Sequence, residues 1–255
     1  MRRAATGSLR QAAKYSCRPS DKLRENRGIL PLSAFDDLLG LSPWMRELDA
    51  AQHDRMRQDL VERRVACGGF VCRKGEPVDH WIGVIEGLVK ISSVSARGKA
   101  VTFTGIAPGG WFGEGSMLKD EPRRYDAVAL RDSRIACLPR ATFQWLLDTS
   151  IAFNRYLLIQ LNERLGQFIG TVEIDRLLGP DARVARCLAQ LFNPLLYPGL
   201  GRKLEISQGE IGYLTGLSRQ RVNQALRRLE SSELLKVDYG GLTVLSLDGL
   251  REFEG

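Results

Sequence analysis

The run Ile206-Ser207-Gln208-Gly209-Glu210-Ile211-Gly212-Tyr213-Leu214-Thr215-Gly216-Leu217-Ser218-Arg219-Gln220-Arg221-Val222-Asn223-Gln224-Ala225-Leu226-Arg227-Arg228-Leu229 decides how this chain folds. Ser207 followed three residues later by Glu210 has the form of a capping box, in which each side chain satisfies the other's backbone N–H at a helix start. A short helix follows, with Ile211 and Leu214 facing inward. Thr215-Gly216-Leu217 is a tight turn whose glycine can take positive φ. Ser218 then caps a second helix. The whole is a helix-turn-helix outline.

The second helix carries the chemistry. Val222, Leu226 and Leu229 stand at i, i+4 and i+7 and form one apolar stripe. Gln220, Gln224 and Arg227 point away from that stripe, with Arg221, Asn223 and Arg228 flanking them. No carboxylate interrupts this face before Glu230. An ordinary solvated helix face mixes in Glu and Asp, which helix propensity favours. Amides and guanidinium groups alone are suited to base edges: Arg to guanine, Asn or Gln to adenine. Arg219 and Gln220 lie in the first turn, the end that enters the major groove in helix-turn-helix proteins. Leu235-Lys236-Val237-Asp238 and Leu242-Thr243-Val244-Leu245 flank Tyr239-Gly240-Gly241 and read as a β-hairpin. A hairpin directly after such a helix makes the unit a winged helix-turn-helix, with a wing that can touch the DNA backbone.

Working toward the N-terminus, a helix is predicted over 181–192, followed by a loop rich in Pro and Gly over 193–201. Gly179-Pro180 ends the preceding helix and marks a hinge. That helix is predicted over 141–178. Ile151, Leu158, Leu161, Leu165, Phe168 and Val172 include steps of 3 and 4, the narrow seam that two helices bury against each other. Self-association and packing within one chain would both use it. Between Cys67 and Pro139 the texture is different. Short apolar runs such as Trp81-Ile82-Gly83-Val84-Ile85, Leu88-Val89-Lys90-Ile91, Val101-Thr102-Phe103, Ala127-Val128-Ala129-Leu130 and Arg134-Ile135-Ala136-Cys137-Leu138 alternate with Gly- and Pro-containing turns. Strands at this spacing predict a compact antiparallel barrel or sandwich. Residues 30–66 are predicted helical, with Pro43 early in a helix and Trp44, Leu48, Met56 and Leu60 recurring among charges.

Length and composition are those of a globular chain of about two domains: 255 residues, 44% hydrophobic, 7% aromatic, 26% charged. The net charge of +7 is concentrated in residues 1–27, which hold eight Lys/Arg against two acids, so the other 228 residues carry only +1. Nucleic-acid binding must therefore rest on a local patch. The tail reads either as a solvated extension or as an arm for DNA phosphates. No apolar run reaches a membrane span, and no secretory signal is present. Five cysteines at irregular spacing favour reduced thiols in a cytoplasmic protein. No catalytic residues and no metal ligands are assigned: there is no P-loop, no G-x-S-x-G and no metal-binding pair among the two histidines, His53 and His80. Cys67 and Cys72, with four residues between them, do not form a cluster-binding set, so neither an iron–sulfur cluster nor haem is expected.

The chain resembles the Crp/Fnr family of bacterial transcription regulators. The resemblance covers about residues 30–250. It rests on Gly110-Trp111-Phe112-Gly113-Glu114 followed by Arg124, on the seam helix, and on the helix-turn-helix run quoted above. It implies an α+β fold in four parts: a basic flexible tail (1–28), a cyclic-nucleotide-binding-like β-roll (29–148), a dimerisation helix and hinge (149–179), and a winged helix-turn-helix (180–255). A homodimer joined through Leu158, Leu161, Leu165, Phe168 and Val172 would match a two-fold symmetric DNA operator. Ser207, Ser218, Arg219, Gln220, Arg221, Asn223, Gln224 and Arg227 are the expected DNA-contacting set, with Arg219, Gln220 and Gln224 at the family's principal base-reading positions. RNA polymerase is a further expected partner, and no membrane is.

The resemblance also implies an effector pocket. Gly113 and Glu114 match the residues at the ribose, and Arg124 the arginine that pairs with the cyclic phosphate. Tyr125 stands where cyclic AMP binders carry a small hydroxyl residue, and Phe168 where they carry a polar residue near the adenine. The expected effector, if there is one, is thus a small molecule or nucleotide other than cyclic AMP, because unmade polar contacts to a buried ligand are costly. Three readings stay open beside this: a cyclic-AMP-responsive regulator, a nucleotide-binding regulatory subunit without DNA reading, and a structural ion pair between Glu114 and Arg124.

Overall fold

A computed structural model describes residues 28–29, 32–98 and 100–255. The basic tail expected over residues 1–28 therefore lies almost wholly outside the described residues. The first half of the chain builds two antiparallel sheets. One has the order β1 (Gly28–Ile29), β2 (Val61–Val65), β9 (Ser133–Pro139), β4 (His80–Glu86), β7 (Trp111–Phe112). The other has the order β3 (Phe70–Cys72), β8 (Asp126–Ala129), β5 (Val89–Val94), β6 (Ala100–Ile106), and a short helix, α3 (Glu114–Leu118), follows β7. Val84, Val89, Ile106, Ala127, Ala129 and Ile135 are wholly buried between them. Most of the short apolar runs of the sequence thus become the two inner faces of a β-roll, while Val101 and Phe103 of β6 stay exposed.

Residues 30–66 are not helical throughout. Helix α1 (Leu32–Leu41), a 3₁₀ turn at Pro43–Glu47 and helix α2 (Ala50–Asp59) give way to strand β2. Val61-Glu62-Arg63-Arg64-Val65 alternates at period two and pairs with β9, where Glu62 takes Arg134 at 3.0 Å. Burial opposes the Glu62 charge, but Arg134 and Arg64 outweigh it and hold the carboxyl below its ordinary range.

The helix predicted over 141–178 is two helices, α4 (Arg140–Thr149) and α5 (Ile151–Leu177). Between them Ser150 is extended, and its hydroxyl accepts from the Phe153 N–H at 3.2 Å. The N-cap preference of serine overrides helix continuation there. With 27 residues, α5 is about 40 Å long. Its inner face joins an aromatic cluster in which Trp44, Trp81, Trp111, Phe143, Phe153 and Tyr156 sit 4.3–6.3 Å apart by ring centroid. Trp81 and Trp111 stack at 4.3 Å, and the Trp111 indole donates to buried Ser42 at 2.9 Å. Rings from the 3₁₀ turn, β4, β7, α4 and α5 therefore hold the long helix against the roll.

The C-terminal part contains a helix α6 (Pro180–Gln190), strand β10 (Lys203–Leu204), helices α7 (Gln208–Thr215) and α8 (Arg219–Ser231), strands β11 (Leu235–Asp238) and β12 (Gly241–Val244), and helix α9 (Leu247–Glu252). Strand β10, which sequence periodicity did not reveal, makes the wing a three-stranded sheet of order β10-β12-β11. This part rests on the roll. Arg131, in the turn after β8, reaches both carboxylate oxygens of Glu210 at 2.8 Å and lies 3.6 Å from Glu205. The Lys90 ammonium stands 4.8 Å from the centre of the Tyr213 ring. One apolar core runs from the strands of the roll into α6, α7 and α8.

Candidate nucleic-acid interface and β-roll pocket

Helix α7 begins at Ser207, whose Oγ accepts from the Glu210 N–H at 3.2 Å while the Glu210 carboxylate accepts from the Ser207 N–H. It ends at Gly216, which is left-handed with φ +69°, a conformation that a side chain would strain. Ser218 caps α8 by accepting from the Arg221 N–H at 3.3 Å. Ser207 and Ser218 thus set the two helices at a fixed turn. Val222, Ala225, Leu226 and Leu229 are buried against the rest of the unit. The opposite face presents Arg219, Gln220, Gln224 and Arg227, all exposed. Their side chains make no hydrogen bond or ion pair with another described residue. Asn223 is half-buried beside them.

Arg221 departs from the expected set. Its guanidinium pairs at 2.6 Å with buried Asp181, which also takes Arg228 at 2.6 Å. A carboxylate from α6 thus occupies a group that the sequence of α8 alone placed among the readers. Glu230, the first acid on the helix, accepts from the Val237 N–H at 2.8 Å and ties α8 to the wing. At the wing tip Tyr239 is fully exposed.

In the roll, Gly113 is left-handed at φ +98°, and a Cβ there would fall 2.5 Å from Arg123 Nη1. Only glycine lets that guanidinium approach. Arg123 is buried and donates to the His80 carbonyl at 2.6 Å, while its Nη1 is buried with no hydrogen-bond partner among the described residues. Arg124, the arginine expected here, points outward instead. It is 70% exposed and forms two hydrogen bonds to Glu121, whose carboxyl Arg124 and Lys119 hold down to about 2. The two adjacent arginines lie in the loop before β8 and take opposite directions, Arg123 toward the His80 carbonyl and Arg124 toward Glu121. The expected arginine, Arg124, thus lies at the surface, and its neighbour Arg123 lies beside Gly113.

Glu114 is buried and does not pair with Arg124. It accepts from the Trp81 indole at 3.5 Å, and Arg164 Nε of α5 lies 3.4 Å away. Arg164 also donates to the Trp111 carbonyl, as does Gln160 at 2.8 Å. Burial works against the Arg164 charge, but Glu114 together with Tyr197, Tyr125 and Tyr156 outweighs it, and the guanidinium is held above its ordinary value. Burial pushes the Tyr125 phenol up, with Glu114 adding to the effect. Phe168 is 41% exposed on the outer stripe of α5 and does not line the cavity of the roll. Arg123 and Arg164 meet the Gly113-Glu114 turn; Arg124 and Phe168 do not.

A cavity of about 590 Å³ lies between the sheets beside Arg123, lined also by Arg63, Cys72, His80, Ile82 and Cys137. Burial pushes the Cys72 thiol up to about 11, so it is neutral near pH 7. Among the described residues no group of His, Cys, Asp and Glu could hold a metal ion, and no helix is long and apolar enough to cross a membrane.

Residues 62–150 match the family of the cyclic nucleotide-binding domain, and residues 182–253 that of the Crp-like helix-turn-helix domain. The chain belongs to the Crp/Fnr family of transcription regulators. This regulator is 29% identical to the transcriptional regulator SdrP of Thermus thermophilus over 178 residues, which are 69% of this chain and 84% of that one. It is 28% identical to the HTH-type transcriptional regulator Cmr of Mycobacterium tuberculosis over 197 residues, 77% of each. The structure of FixK2 from Bradyrhizobium japonicum covers 77% of this chain and 98% of its own at a TM-score of 0.64 and 18% identity, a likeness of fold. The regulator is a DNA-binding protein of Crp/Fnr type with a cyclic-nucleotide-binding-like domain. A nucleotide-binding subunit without a DNA-binding unit is not what these matches favour.

Arg164→Ala should destabilise the fold by about 3–5 kcal/mol, because it leaves Glu114 buried and unpaired. Urea unfolding of the variant beside the Arg164→Ala/Glu114→Gln double variant checks this: the second should regain part of the loss.

Proposed function

We propose that the regulator is a homodimer that reads a two-fold symmetric operator with Arg219, Gln220, Gln224 and Arg227. The observation that carries this reading is the exposed, carboxylate-free face of α8, capped and braced from behind. Ser207 and Ser218 act as caps that fix the helix angle. Asn223 is a flanking contact. Arg219→Ala should abolish specific binding to the operator recovered by selection from random duplexes and leave the dimer intact. A gel-shift titration that finds unchanged affinity would refute the assignment of Arg219.

The dimer reading is supported by α5. Ile151, Leu158, Leu165, Phe168, Ile169 and Val172 are each 41–73% exposed along one side of the helix, with Leu161 half-buried among them. Such a stripe on a 27-residue helix is an interface without its partner. Changing both Leu161 and Leu165 to Glu should give monomers by light scattering. A dimer that persists would place the interface elsewhere.

In the roll, Arg123 is the residue suited to an acidic effector. Its buried Nη1 and the glycine beside it fit a phosphate or carboxylate oxygen, and the adjoining cavity has room for the rest of a small molecule. Neither residue after Arg123 is a small hydroxyl: Arg124 is turned to Glu121 and Tyr125 is bulky and largely buried. The effector is accordingly a small anion other than cyclic AMP. When it binds, it must favour one arrangement of the two recognition helices over another. Isothermal titration with cyclic AMP at millimolar concentration should give no saturable heat. Micromolar binding lost in Arg123→Ala would instead make the protein a cyclic-AMP switch. RNA polymerase is the partner through which such a regulator acts at a promoter.

A further inference from the structure

The hinge contains a carboxylate that the DNA-reading face does not account for. Asp181 is the second residue of α6, directly after Gly179-Pro180, where the long helix ends. It is buried, and its two oxygens go to two different guanidinium groups of α8: Oδ1 to Arg221 Nη1 and Oδ2 to Arg228 Nη1, each at 2.6 Å. Arg221 belongs to the first turn of α8, the turn that carries Arg219 and Gln220. Its own side chain is 29% exposed, against 67% for Arg228. The same hinge has a second tie. Arg183 donates to Asp175 of α5 at 2.7 Å and to the Thr215 carbonyl at the end of α7 at 2.9 Å.

We propose that Asp181 is a specificity-determining positioning residue: it holds Arg221 away from the DNA and fixes the recognition helix to the hinge. The proposal rests on the reading of α8 as the recognition helix. An Arg221 that left Asp181 for a base or a phosphate would strand part of a buried charge, which is costly. The operator is therefore read without Arg221, although the residue lies in the turn best placed to read it. Because the carboxylate sits at the start of α6, a rotation of α6 carries α8 with it through a hydrogen-bonded ion pair to Arg228 and a close ion pair to Arg221, rather than through apolar packing alone.

The test uses the full chain, with fluorescence anisotropy on the operator recovered by selection and on an unrelated duplex, each across a salt series. In Asp181→Asn, Arg221 and Arg228 are released toward phosphates. Non-specific affinity should rise, the slope of log K against log salt should steepen by about one to two, and the specific-to-non-specific ratio should fall by about tenfold. A slope and ratio equal to those of the wild type would overturn the proposal, since a merely structural role would lower thermal stability alone. Arg221→Gln tests the same point without removing the buried acid. Operator affinity should fall several-fold with the salt slope unchanged. A slope flatter by about one, or lost preference at a single base pair, would mean that Arg221 itself touches the DNA, and would overturn the proposal. Retained operator binding in Arg219→Ala would count against the base-reading assignment of α8 and leave the Asp181 measurements to be judged on their own slopes.

Discussion

The buried pair of Glu114 and Arg164 is the contact on which the rest of the regulator depends. One partner comes from the turn after β7 and the other from the middle of α5, so a single ion pair joins the pocket loop of the roll to the long helix. Neither charge could stay buried alone. The aromatic cluster surrounds the pair, with Trp81 donating to the carboxylate and Trp111 accepting from the guanidinium. The low-dielectric setting strengthens the pair and also makes it sensitive to whatever enters beside it. A ligand at Arg123 would lie next to Gly113, one residue from Glu114. Gly113 and Glu114 thus join the surroundings of Arg123 to the long helix.

From α5 the structure continues through a second set of charged contacts. Arg183 links Asp175 to the end of α7, and Asp181 links the start of α6 to α8. Gly179-Pro180 lies between them as a short joint with no helical hydrogen bond from the proline. Polar contacts therefore tie both sides of this joint to α7 and α8.

Much of this was legible in the sequence because it depends on local chemistry. Ser207 with Glu210, Gly216 and Ser218 specify caps and a turn within a few residues, and the structure forms each of them. The stripe of Val222, Leu226 and Leu229 is buried as its spacing requires. What was not legible depends on partners far away in the chain. Arg221 reads as a free guanidinium until Asp181, forty residues earlier, is folded against it. Arg123 and Arg124 cannot be told apart until Gly113 supplies the gap that admits one of them. Strand β2 reads as a continuation of helix because Glu62 and Arg63 find their partners, Arg134 and the Val71 carbonyl, only on other strands. The break at Ser150 was available in principle, since serine before an apolar run is a cap signal, but the continuous seam masked it.

The carboxylate of Glu210 closes the cap of α7 and at the same time receives Arg131 from the roll. The two halves of the protein therefore share one side chain. A roll joined to a foreign reading unit without an acid at this point would leave Arg131 without its partner. A reading unit moved to a foreign roll would keep its cap but lose the grip that orients it. Recombination between relatives at the hinge is thus constrained by a helix cap on one side and a surface turn on the other, which must be inherited together.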